Sequence, residues 1–307
     1  MKDRVIRKTL SERQRKIENA KHIAAETAKK AFAIPEISKA NEAYTTAVFD
    51  DMAKGVENSK TTQKACLLYQ NALKKYGFDE NDFQYKPVCP ICEDTGKADG
   101  KVCKCAFDDY VKNLKIECEL DKRAPFSFAD CNLDGVRDEQ EKQNLAKLYS
   151  SMQKYVEKFP NVKSINLLFT GGVGTGKTCL ASAIATGVVE KGYCAKIMSA
   201  YEFNSLMLTV HTSPIAERNA LMDDVLTSDL LVIDDLGTEP MLKRVTIEYL
   251  LLVIEERQAK GLATIITTNL DVERLLARYG ERIYSRLSHK QHSMIIQFVG
   301  KDLRLGN

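Results

Sequence analysis

The second half of the sequence predicts an α/β fold, and a helical region precedes it. Five short apolar runs alternate there with longer amphipathic stretches: INLLFT, AKIMSA, LLVID, ATIITT and SMIIQFV. Each of the first four is followed by a helix-like stretch, which is the pattern of a parallel sheet covered by helices. A glycine-rich loop follows the first run and two aspartates end the third. Both features therefore fall at the carboxyl edge of the sheet, where such folds bind ligands.

The composition is that of an ordinary globular protein. The 307 residues are 44% hydrophobic and 28% charged, with a formal net charge of +3, and this length predicts about two domains. The N-terminus has no apolar run, and LLLVI at 250–254 is the longest strongly apolar run, far too short to span a bilayer. We therefore expect no secretory signal, no membrane partner and a cytoplasmic location, where the nine cysteines stay reduced.

The first 78 residues predict three helices. The first runs from Ser11 to a break at Pro35, the second ends at Gly55 and the third ends at Gly77, in line with the positional preferences of proline and glycine. In the third helix, apolar residues recur at three- and four-residue steps and form one face: Ala65, Leu68, Tyr69, Ala72 and Leu73.

The N-terminal segment is basic. Residues 1–30 contain ten Lys or Arg against four Asp or Glu. This excess suits a solvated helix face, and it equally suits a basic arm that meets nucleic acid or an acidic partner surface. The sequence leaves both alternatives open.

The domain boundary is predicted at residues 121–135. A helical piece at about 106–120 ends there, and the segment DKRAPFSFADCNLDG has turn residues without periodicity, as linkers do. We therefore expect a helical, cysteine-containing domain over 1–120, a linker over 121–135 and the α/β domain over 136–307.

The loop GGVGTGKT matches the phosphate-binding pattern G-x-x-x-x-G-K-[ST], between a predicted strand and a predicted helix. Glycines let backbone N–H groups turn inward around phosphates, and the helix N-terminus adds partial positive charge. Lys177 should reach the β- and γ-phosphates, and the Thr178 hydroxyl should hold Mg²⁺. The predicted ATP-binding residues of this loop are Gly171, Gly172, Val173, Gly174, Thr175, Gly176, Lys177, Thr178 and Cys179.

Polar residues at two further strand ends complete the predicted site. In LLVIDDLG, Asp234 should coordinate Mg²⁺ through water, and Asp235 should polarise the attacking water, because phosphoryl transfer depends on positioning and charge stabilisation. In ATIITTN, Asn269 either reaches the γ-phosphate and its water or simply forms a turn. The sequence thus predicts an ATPase with Lys177, Asp235 and Asn269 in its catalytic machinery.

The stretch YGERIYSRL contains two arginines four residues apart, Arg282 and Arg286. They share one face of a helix. In a monomer they are ordinary surface arginines, whereas in a ring or spiral one of them could enter the neighbouring subunit's site and stabilise transition-state charge.

Four of the nine cysteines form a C-x2-C-x10-C-x-C cluster within 17 residues: Cys89, Cys92, Cys103 and Cys105. Two close pairs can bring four thiolates around a tetrahedral Zn²⁺, and the turn residues between the pairs let the chain fold around an ion. A closed set of four thiolates makes the site structural rather than catalytic. Disulfides and a labile redox or iron–sulfur site are the alternatives.

Taken together, the phosphate loop, the Asp-Asp strand end, TTN, GERIYSRL and Arg304 resemble the AAA+ ATPases of the DnaC/DnaI helicase-loader and IstB group, over roughly residues 125–307. The resemblance implies an AAA+ P-loop ATPase domain with a central parallel sheet. It further implies that Asn269 is the first sensor, that Arg286 is an arginine finger acting in trans with Arg282 as its companion, and that Arg304 is the second sensor arginine at the nucleotide.

The resemblance extends to two other segments. Residues 201–226 correspond to helices that touch single-stranded DNA in this family, although the basic content here is sparse, with His211 and Arg218. A packing role for this segment is an equal alternative, because single-strand grooves usually combine positive charge with aromatic platforms. The cysteine segment resembles the N-terminal zinc module of DnaI-type loaders, which implies that residues 1–120 dock a helicase.

The function that these features imply is ATP-dependent loading of a hexameric replicative helicase of the DnaB type onto single-stranded DNA during replication initiation. The expected cofactors are ATP, Mg²⁺ and Zn²⁺, and the expected partners are the helicase, single-stranded DNA and further copies of the chain. Two alternatives remain: an IstB-like transposition helper, and a helicase-binding adaptor or inhibitor that uses nucleotide only as a switch. Asp235, one methylene shorter than the usual Glu, is compatible with such slow turnover.

Overall fold

The computed structural model describes residues 1–300 and 302, with the exception of 125, 132, 134, 135 and 137. The chain divides into two compact units, one over Arg7–Ala106 and the other over Met1–Ile6 and Phe107–Asn307. This division falls before the predicted linker at 121–135, whose role as a functional boundary stays a prediction. Within the described residues, no helix combines the length and apolar character needed to cross a membrane.

The first unit is helical, as its alanine-, lysine- and glutamate-rich sequence predicts. It contains most of α1 (Lys2–Phe32), then α2 (Pro35–Lys54), α3 (Lys60–Lys75), a 3₁₀ turn and the two-residue strands β1 (Lys97–Ala98) and β2 (Lys101–Val102). Helix α1 begins nine residues before the predicted start at Ser11. That prediction was wrong because residues 2–10 are themselves mostly good helix formers, so Ser11 lies within the helix.

Helices α2 and α3 form an antiparallel hairpin whose ends follow the sequence signals. Pro35 occupies the first turn of α2, Gly55 ends it in the left-handed conformation with φ 60°, and the Ser59 hydroxyl caps α3. The hairpin core contains Ala31, Ile37, Tyr69, Ala72 and Leu73. Leu68, which the periodicity placed on the same face, is 57% exposed, because the apolar stripe of α3 is wider than the surface its neighbours cover.

The second unit is built on a five-stranded parallel sheet. Its strands are β3 (Asn166–Gly171), β4 (Ala195–Ser199), β5 (Leu230–Leu236), β6 (Ala263–Thr268) and β7 (Ser293–Phe298), in the spatial order β4-β5-β6-β3-β7. The five strands coincide with the five predicted apolar runs. The predicted α/β fold with a central parallel sheet is therefore confirmed.

Helices cover both faces of this sheet. They are α4 (Lys104–Glu117), α5 (Leu120–Arg123), α6 (Glu139–Lys158), α7 (Lys177–Glu190), α8 (Ala200–Thr212), α9 (Ile215–Thr227), α10 (Thr246–Ala259) and α11 (Val272–Leu287). Successive strand residues point to opposite faces, so Leu167 and Phe169 join one apolar cluster while Leu168 joins the other. Burial on both faces explains why the inner strands β3, β5 and β6 do not alternate between apolar and polar residues.

Strand order decides which loops meet at the carboxyl edge of the sheet. Strand β6 lies between β3 and β5, although it follows both of them in the sequence. Three features therefore lie side by side at this edge: the glycine-rich loop after β3, the aspartates at the end of β5, and Asn269 directly after β6.

Candidate functional site

The glycine-rich loop joins β3 to α7 and has the backbone that phosphate binding requires. Gly171, Gly174 and Gly176 have φ values of 144°, 72° and 94°. Residues other than glycine rarely adopt such positive φ values. A Cβ at Gly171 would also collide with the Phe298 carbonyl, and one at Gly174 with the Asp302 carboxylate. The loop is thus held in one shape at the N-terminus of α7, where helix dipoles favour anions.

Lys177, the first residue of α7, points its amine back into this loop. The side chain is only 6% exposed, and its Nζ donates to the carbonyls of Gly171 (2.8 Å) and Gly172 (2.5 Å) and to Asn269 Oδ1 (2.8 Å). A buried ammonium needs such partners. The amine is therefore held at the mouth of the loop, where phosphate oxygens of a nucleotide would compete for it.

The two aspartates lie in an irregular part of β5. The register with β6 shifts between Ile233 and Leu236, and Asp235 has a left-handed φ of 61°. Bulges of this kind re-aim side chains and are common next to active sites. Here the shift lets the neighbouring carboxylates of Asp234 and Asp235 both line the same cleft, which a regular strand with alternating side chains would prevent.

Asp234 is held by two hydroxyls. Its Oδ1 accepts hydrogen bonds from Thr178 (3.0 Å) and from Thr267 on β6 (2.6 Å). The same Thr267 hydroxyl accepts from the Asp235 backbone N–H at 2.8 Å. The Asp234 carboxylate and the Thr178 hydroxyl are hard oxygen donors of the type that Mg²⁺ prefers, and their 3.0 Å separation places them within reach of a single cation.

Asn269 connects the two sides of the cleft. Its Oδ1 accepts from Lys177 and its Nδ2 donates to Asp235 Oδ1 at 2.6 Å. The side chain thus lies between the amine that would meet phosphate and the carboxylate that would meet water. The expected role of Asn269 as a sensor of the terminal phosphate stays a prediction.

These residues line a cleft of about 430 Å³, together with Phe126 and Val173. The volume lies within the range of small-molecule sites. One end presents the phosphate loop and the carboxylates, whereas Phe126 offers an aromatic surface. A nucleoside triphosphate has a matching division between charged phosphates and a flat base.

The predicted arginines lie outside this cleft. Arg282 and Arg286 project from α11 and share one carboxylate of α10, with Nη2 atoms 3.5 and 3.0 Å from Glu255 Oε1. Arg282 is 72% and Arg286 45% exposed. The third predicted arginine, Arg304, lies outside the described residues.

The segment predicted to contact DNA forms α8 and α9. His211 packs edge-on against Tyr249, and Arg218 donates to the carbonyls of His211 and Ser213. Both basic side chains thus have intramolecular partners within the second unit. DNA contact by this segment stays a prediction.

The four clustered cysteines converge in the first unit. Their sulfurs all lie within 4.8 Å of one another, with Cys89–Cys103 at 3.8 Å and Cys92–Cys105 at 3.4 Å. A tetrahedral zinc site with 2.3 Å bonds has sulfurs about 3.8 Å apart, so the cluster could hold such an ion. The backbone N–H groups of Cys92 and Ile91 lower the pKa of Cys89 to about 7, whereas burial raises the pKa of Cys105 to about 12.

Neighbouring side chains hold this cluster in place. The Asp94 carboxylate accepts from the backbone N–H groups of Val88 (2.8 Å) and Cys89 (2.9 Å) and from the Tyr85 hydroxyl. Arg13 of α1 donates to the Asp94 carbonyl (3.2 Å) and to the Cys105 sulfur (3.5 Å). A cation beside a thiolate cluster offsets its negative charge, and outer groups of this kind orient metal ligands.

Sequence reasoning missed several residues around the nucleotide cleft. Thr267 was part of a recognised polar strand end, but nothing local indicated that its hydroxyl would bridge both aspartates. The pairing of Glu255 with the arginines has no local signal either. The sulfurs of Cys131 and Cys179 lie 2.8 Å apart, a contact between residues 48 positions apart that no local pattern indicates.

Comparison with known proteins identifies an ATP-binding family. The family model described as IstB-like ATP binding protein matches residues 135–307. Among curated proteins, the replicative helicase loader DnaC of Escherichia coli (strain K12) is 30% identical over 161 residues, which cover 52% of this chain and 63% of that protein. The replicative helicase loader DnaI of Bacillus subtilis (strain 168) is 28% identical over 144 residues, 47% of this chain and 44% of that protein. The chain thus spans less than two thirds of each relative.

Solved structures include the crystal structure of the DnaC helicase loader, with 23% identity and a TM-score of 0.46 over 56% of this chain and 98% of that one. The crystal structure of the DnaI has 22% identity and a TM-score of 0.44 over 61% of this chain and 93% of that one.

Proposed function

The chain belongs to the IstB-like ATP-binding protein family, and from this premise we propose that it is an ATPase that loads a hexameric replicative helicase onto single-stranded DNA. The observation that carries the ATPase activity is the convergence of Lys177, Thr178, Asp234, Asp235 and Asn269 on one cleft. The loader role is supported by relatives named replicative helicase loaders.

The residues divide the reaction between them. Lys177 and the loop N–H groups bind the β- and γ-phosphates, while Thr178 and Asp234 hold Mg²⁺, which neutralises phosphate charge. Asp235 orients and polarises the attacking water, and Asn269 positions the γ-phosphate between Lys177 and Asp235. The products are ADP and phosphate.

The arginines act between subunits in this proposal. Arg286, with Arg282 beside it, enters the nucleotide site of a neighbouring copy in a ring or spiral, because neither reaches the cleft of its own subunit. Mixing Arg286→Ala with Lys177→Ala subunits is then expected to restore part of the hydrolysis that each lacks. Failure to recover activity at every mixing ratio would count against a trans role.

The first unit serves as the helicase-docking part in this proposal. The four cysteines hold a structural Zn²⁺ that fixes the segment after the three helices, since the cluster has two close sulfur pairs and no further open ligand position. In this proposal, residues 201–226 of the second unit contact single-stranded DNA. Arg304 contacts the nucleotide.

A loading assay with the full chain tests the function. The chain, a hexameric replicative helicase and circular single-stranded DNA are combined with ATP, and helicase bound to the DNA is measured after gel filtration. We expect the chain to increase the bound helicase, and Lys177→Ala to abolish the increase. Equal amounts of DNA-bound helicase with and without the chain would reject the loader role. This outcome would not affect the ATPase assignment, which is tested separately by measuring ATP hydrolysis.

The matched family model favours one second candidate, because its description is IstB-like. A transposition helper would recruit a transposase to DNA. Stimulation of a transposase by the ATP-bound chain, without any helicase binding, would select this alternative.

A further inference from the structure

The segment that follows the two aspartates, residues 237–241, is fixed by a buried carboxylate. Glu239 is only 2% exposed. Its Oε2 accepts from the Gly237 N–H at 2.9 Å, and its Oε1 accepts from the hydroxyl of Tyr279 on α11. Arg278 adds a hydrogen bond to the Glu239 carbonyl and places its Nη2 3.9 Å from Oε1.

Because Glu239 is buried, the contact between this segment and α11 resists separation. A carboxylate away from water is costly unless hydrogen bonds and a cation compensate it, and here both are supplied across the gap between the segment and α11. Separating the two would leave Glu239 buried without those partners. The segment and α11 are therefore expected to move together.

The same segment is tied to α8 on its other side. The Pro240 carbonyl accepts from Asn204 Nδ2 at 2.8 Å, and Asn204 Oδ1 accepts from the Thr246 hydroxyl at 2.8 Å. Asn204 and Thr246 are 2% and 3% exposed. Asn204, Pro240 and Thr246 thus satisfy one another's hydrogen-bonding groups in the core.

Each end of this network is close to a proposed functional residue. Asp235 precedes Glu239 by four positions, and its carbonyl accepts from the Thr238 hydroxyl at 2.9 Å. Arg282 and Arg286 follow Tyr279 on α11. The helix is interrupted at Gly280 (φ 81°), yet Tyr279, Ile283 and Leu287 remain buried in one apolar cluster, so the two halves of α11 stay packed together.

We propose that Glu239 is a positioning residue that couples the nucleotide site to the arginine-bearing helix α11. It holds Asp235 for its own subunit's reaction and sets the position from which the arginines reach the neighbouring subunit. The inference rests on the proposed ATPase function and assigns a role to a residue outside the cleft.

Two conservative variants and one matched control test the proposal. Glu239→Gln keeps the size of the side chain but removes its charge, and Tyr279→Phe removes only the hydroxyl that Glu239 accepts. Tyr284→Phe is the control, because it removes a hydroxyl from the same helix that makes no hydrogen bond to any described residue. Thermal unfolding of all three proteins establishes that they are folded.

The first readout separates binding from turnover. We expect kcat for ATP hydrolysis to fall about tenfold in Glu239→Gln, because small displacements of reacting groups have large effects on rate. The affinity for a fluorescent ATP analogue should change less than about twofold, since Lys177 and the phosphate loop are untouched. Tyr279→Phe should show the same pattern more weakly, and Tyr284→Phe should match the wild type.

The second readout concerns the arginines. Subunits with Lys177→Ala supply arginines to Arg286→Ala subunits, and adding Glu239→Gln to the Lys177→Ala subunit should reduce the recovered hydrolysis severalfold. Adding Tyr284→Phe instead should not reduce it. A purely structural role for Glu239 would lower the unfolding temperature without this selective loss.

The outcomes separate this inference from the proposed function. A wild-type protein without ATP hydrolysis overturns the proposed function, and the inference with it. Wild-type hydrolysis together with Glu239→Gln kinetics equal to those of Tyr284→Phe overturns the inference alone. The inference is likewise overturned if Glu239→Gln lowers analogue binding and kcat in equal measure.

Discussion

At the nucleotide cleft, unusual local backbone rather than side-chain length positions the second aspartate of β5. Asp235 has a left-handed φ of 61°, which is uncommon for a residue other than glycine and tends to occur at functional sites. Its carboxylate accepts from Asn269, and its N–H donates to Thr267. Because these contacts hold the carboxylate at the cleft, a short side chain can serve where a longer one would be expected.

Asp235→Asn tests this residue directly. The substitution keeps the shape of the side chain but removes its charge, so the attacking water is no longer polarised. We expect DNA-stimulated ATP hydrolysis to fall by at least about 100-fold, in the range of general base effects, while nucleotide binding persists. Phosphate release and fluorescent-nucleotide titration measure the two quantities.

The opposite result has a clear meaning. Equal and negligible hydrolysis by the wild type and by Asp235→Asn would favour an adaptor that uses nucleotide only as a switch. Glu256→Gln, which removes a carboxylate on the exposed surface of α10, is the control and should hydrolyse ATP like the wild type.

At the scale of elements, the cysteine segment and the α2–α3 hairpin depend on different interactions. The cysteine segment has only two-residue strands, Lys97–Ala98 and Lys101–Val102, so regular hydrogen bonding contributes little to it. A metal ion would supply the missing cross-links. The hairpin, in contrast, has its own apolar core and a buried hydrogen-bond cluster around Asp51.

We expect one Zn²⁺ per purified chain, and we expect Cys103→Ser to lose most of it, because a hydroxyl is a poor replacement for a thiolate ligand. Metal analysis by mass spectrometry measures the content. Cys66→Ser is the matched control, since Cys66 lies on α3 of the same unit and outside the cluster. A folded, metal-free wild-type protein would contradict the prediction.

Asp51 predicts a pH dependence of hairpin stability. Hydrogen bonds from the Thr62 hydroxyl and the Ser59 N–H hold the pKa of Asp51 below its ordinary value of 3.8. Because the pKa of Asp51 is lowered in the folded state, its carboxylate contributes fully to the free energy of unfolding above the ordinary value. This contribution is lost as the pH falls through the folded-state pKa. Asp51→Asn should therefore unfold at a lower temperature than wild type at pH 7.

The difference in unfolding temperature should begin to shrink below about pH 4, where the carboxyl of the unfolded chain becomes protonated, and should shrink further as the pH falls through the lower folded-state pKa. Circular dichroism melts between pH 7 and pH 3 measure it. Asp50→Asn, at the exposed neighbouring position of α2, should not lower the unfolding temperature at pH 7. A deficit of Asp51→Asn that persists unchanged at pH 3 would show that charge is not its cause.

At the scale of the whole molecule, the chain has two compact units, and the apolar clusters of the sheet are separate from that of the hairpin. Units with separate cores can fail separately. Damage to the cysteine cluster should therefore affect what the first unit binds more than what the second unit catalyses.

This separation gives the last prediction. Cys103→Ser should keep ATP hydrolysis within about twofold of wild type, since the cysteine cluster and the nucleotide cleft belong to different compact units, but it should bind the helicase much more weakly. Surface plasmon resonance with immobilised helicase measures binding, and Cys66→Ser is again the control. Helicase binding that survives in Cys103→Ser would remove the docking role from the cysteine segment.

Much of the α/β unit could be predicted from local sequence. Strands β3, β5 and β6 were visible because each is a short, largely buried run, and the edge strand β7 was visible as an apolar run although most of its residues are exposed or half-buried. The phosphate loop was visible because its spacing is rarely met by chance between a strand and a helix. The start of α1 was misplaced because Ser11 resembles a helix cap whether or not a helix is already under way. The exposure of Leu68 depends on the extent of neighbouring helices, which periodicity does not contain.

The sequence by itself determined which residues we propose for the chemistry: the phosphate loop, the two aspartates, Asn269 and the four cysteines, because these are patterns of spacing within single segments. Only the tertiary structure decided how they meet. Insertion of β6 between β3 and β5 brings Asn269 between Lys177 and Asp235, and packing of α11 on the segment after β5 buries Glu239 against Tyr279. Both arrangements depend on strand order and helix packing, which bring together residues far apart in the sequence. Local sequence patterns contain no information about such long-range contacts.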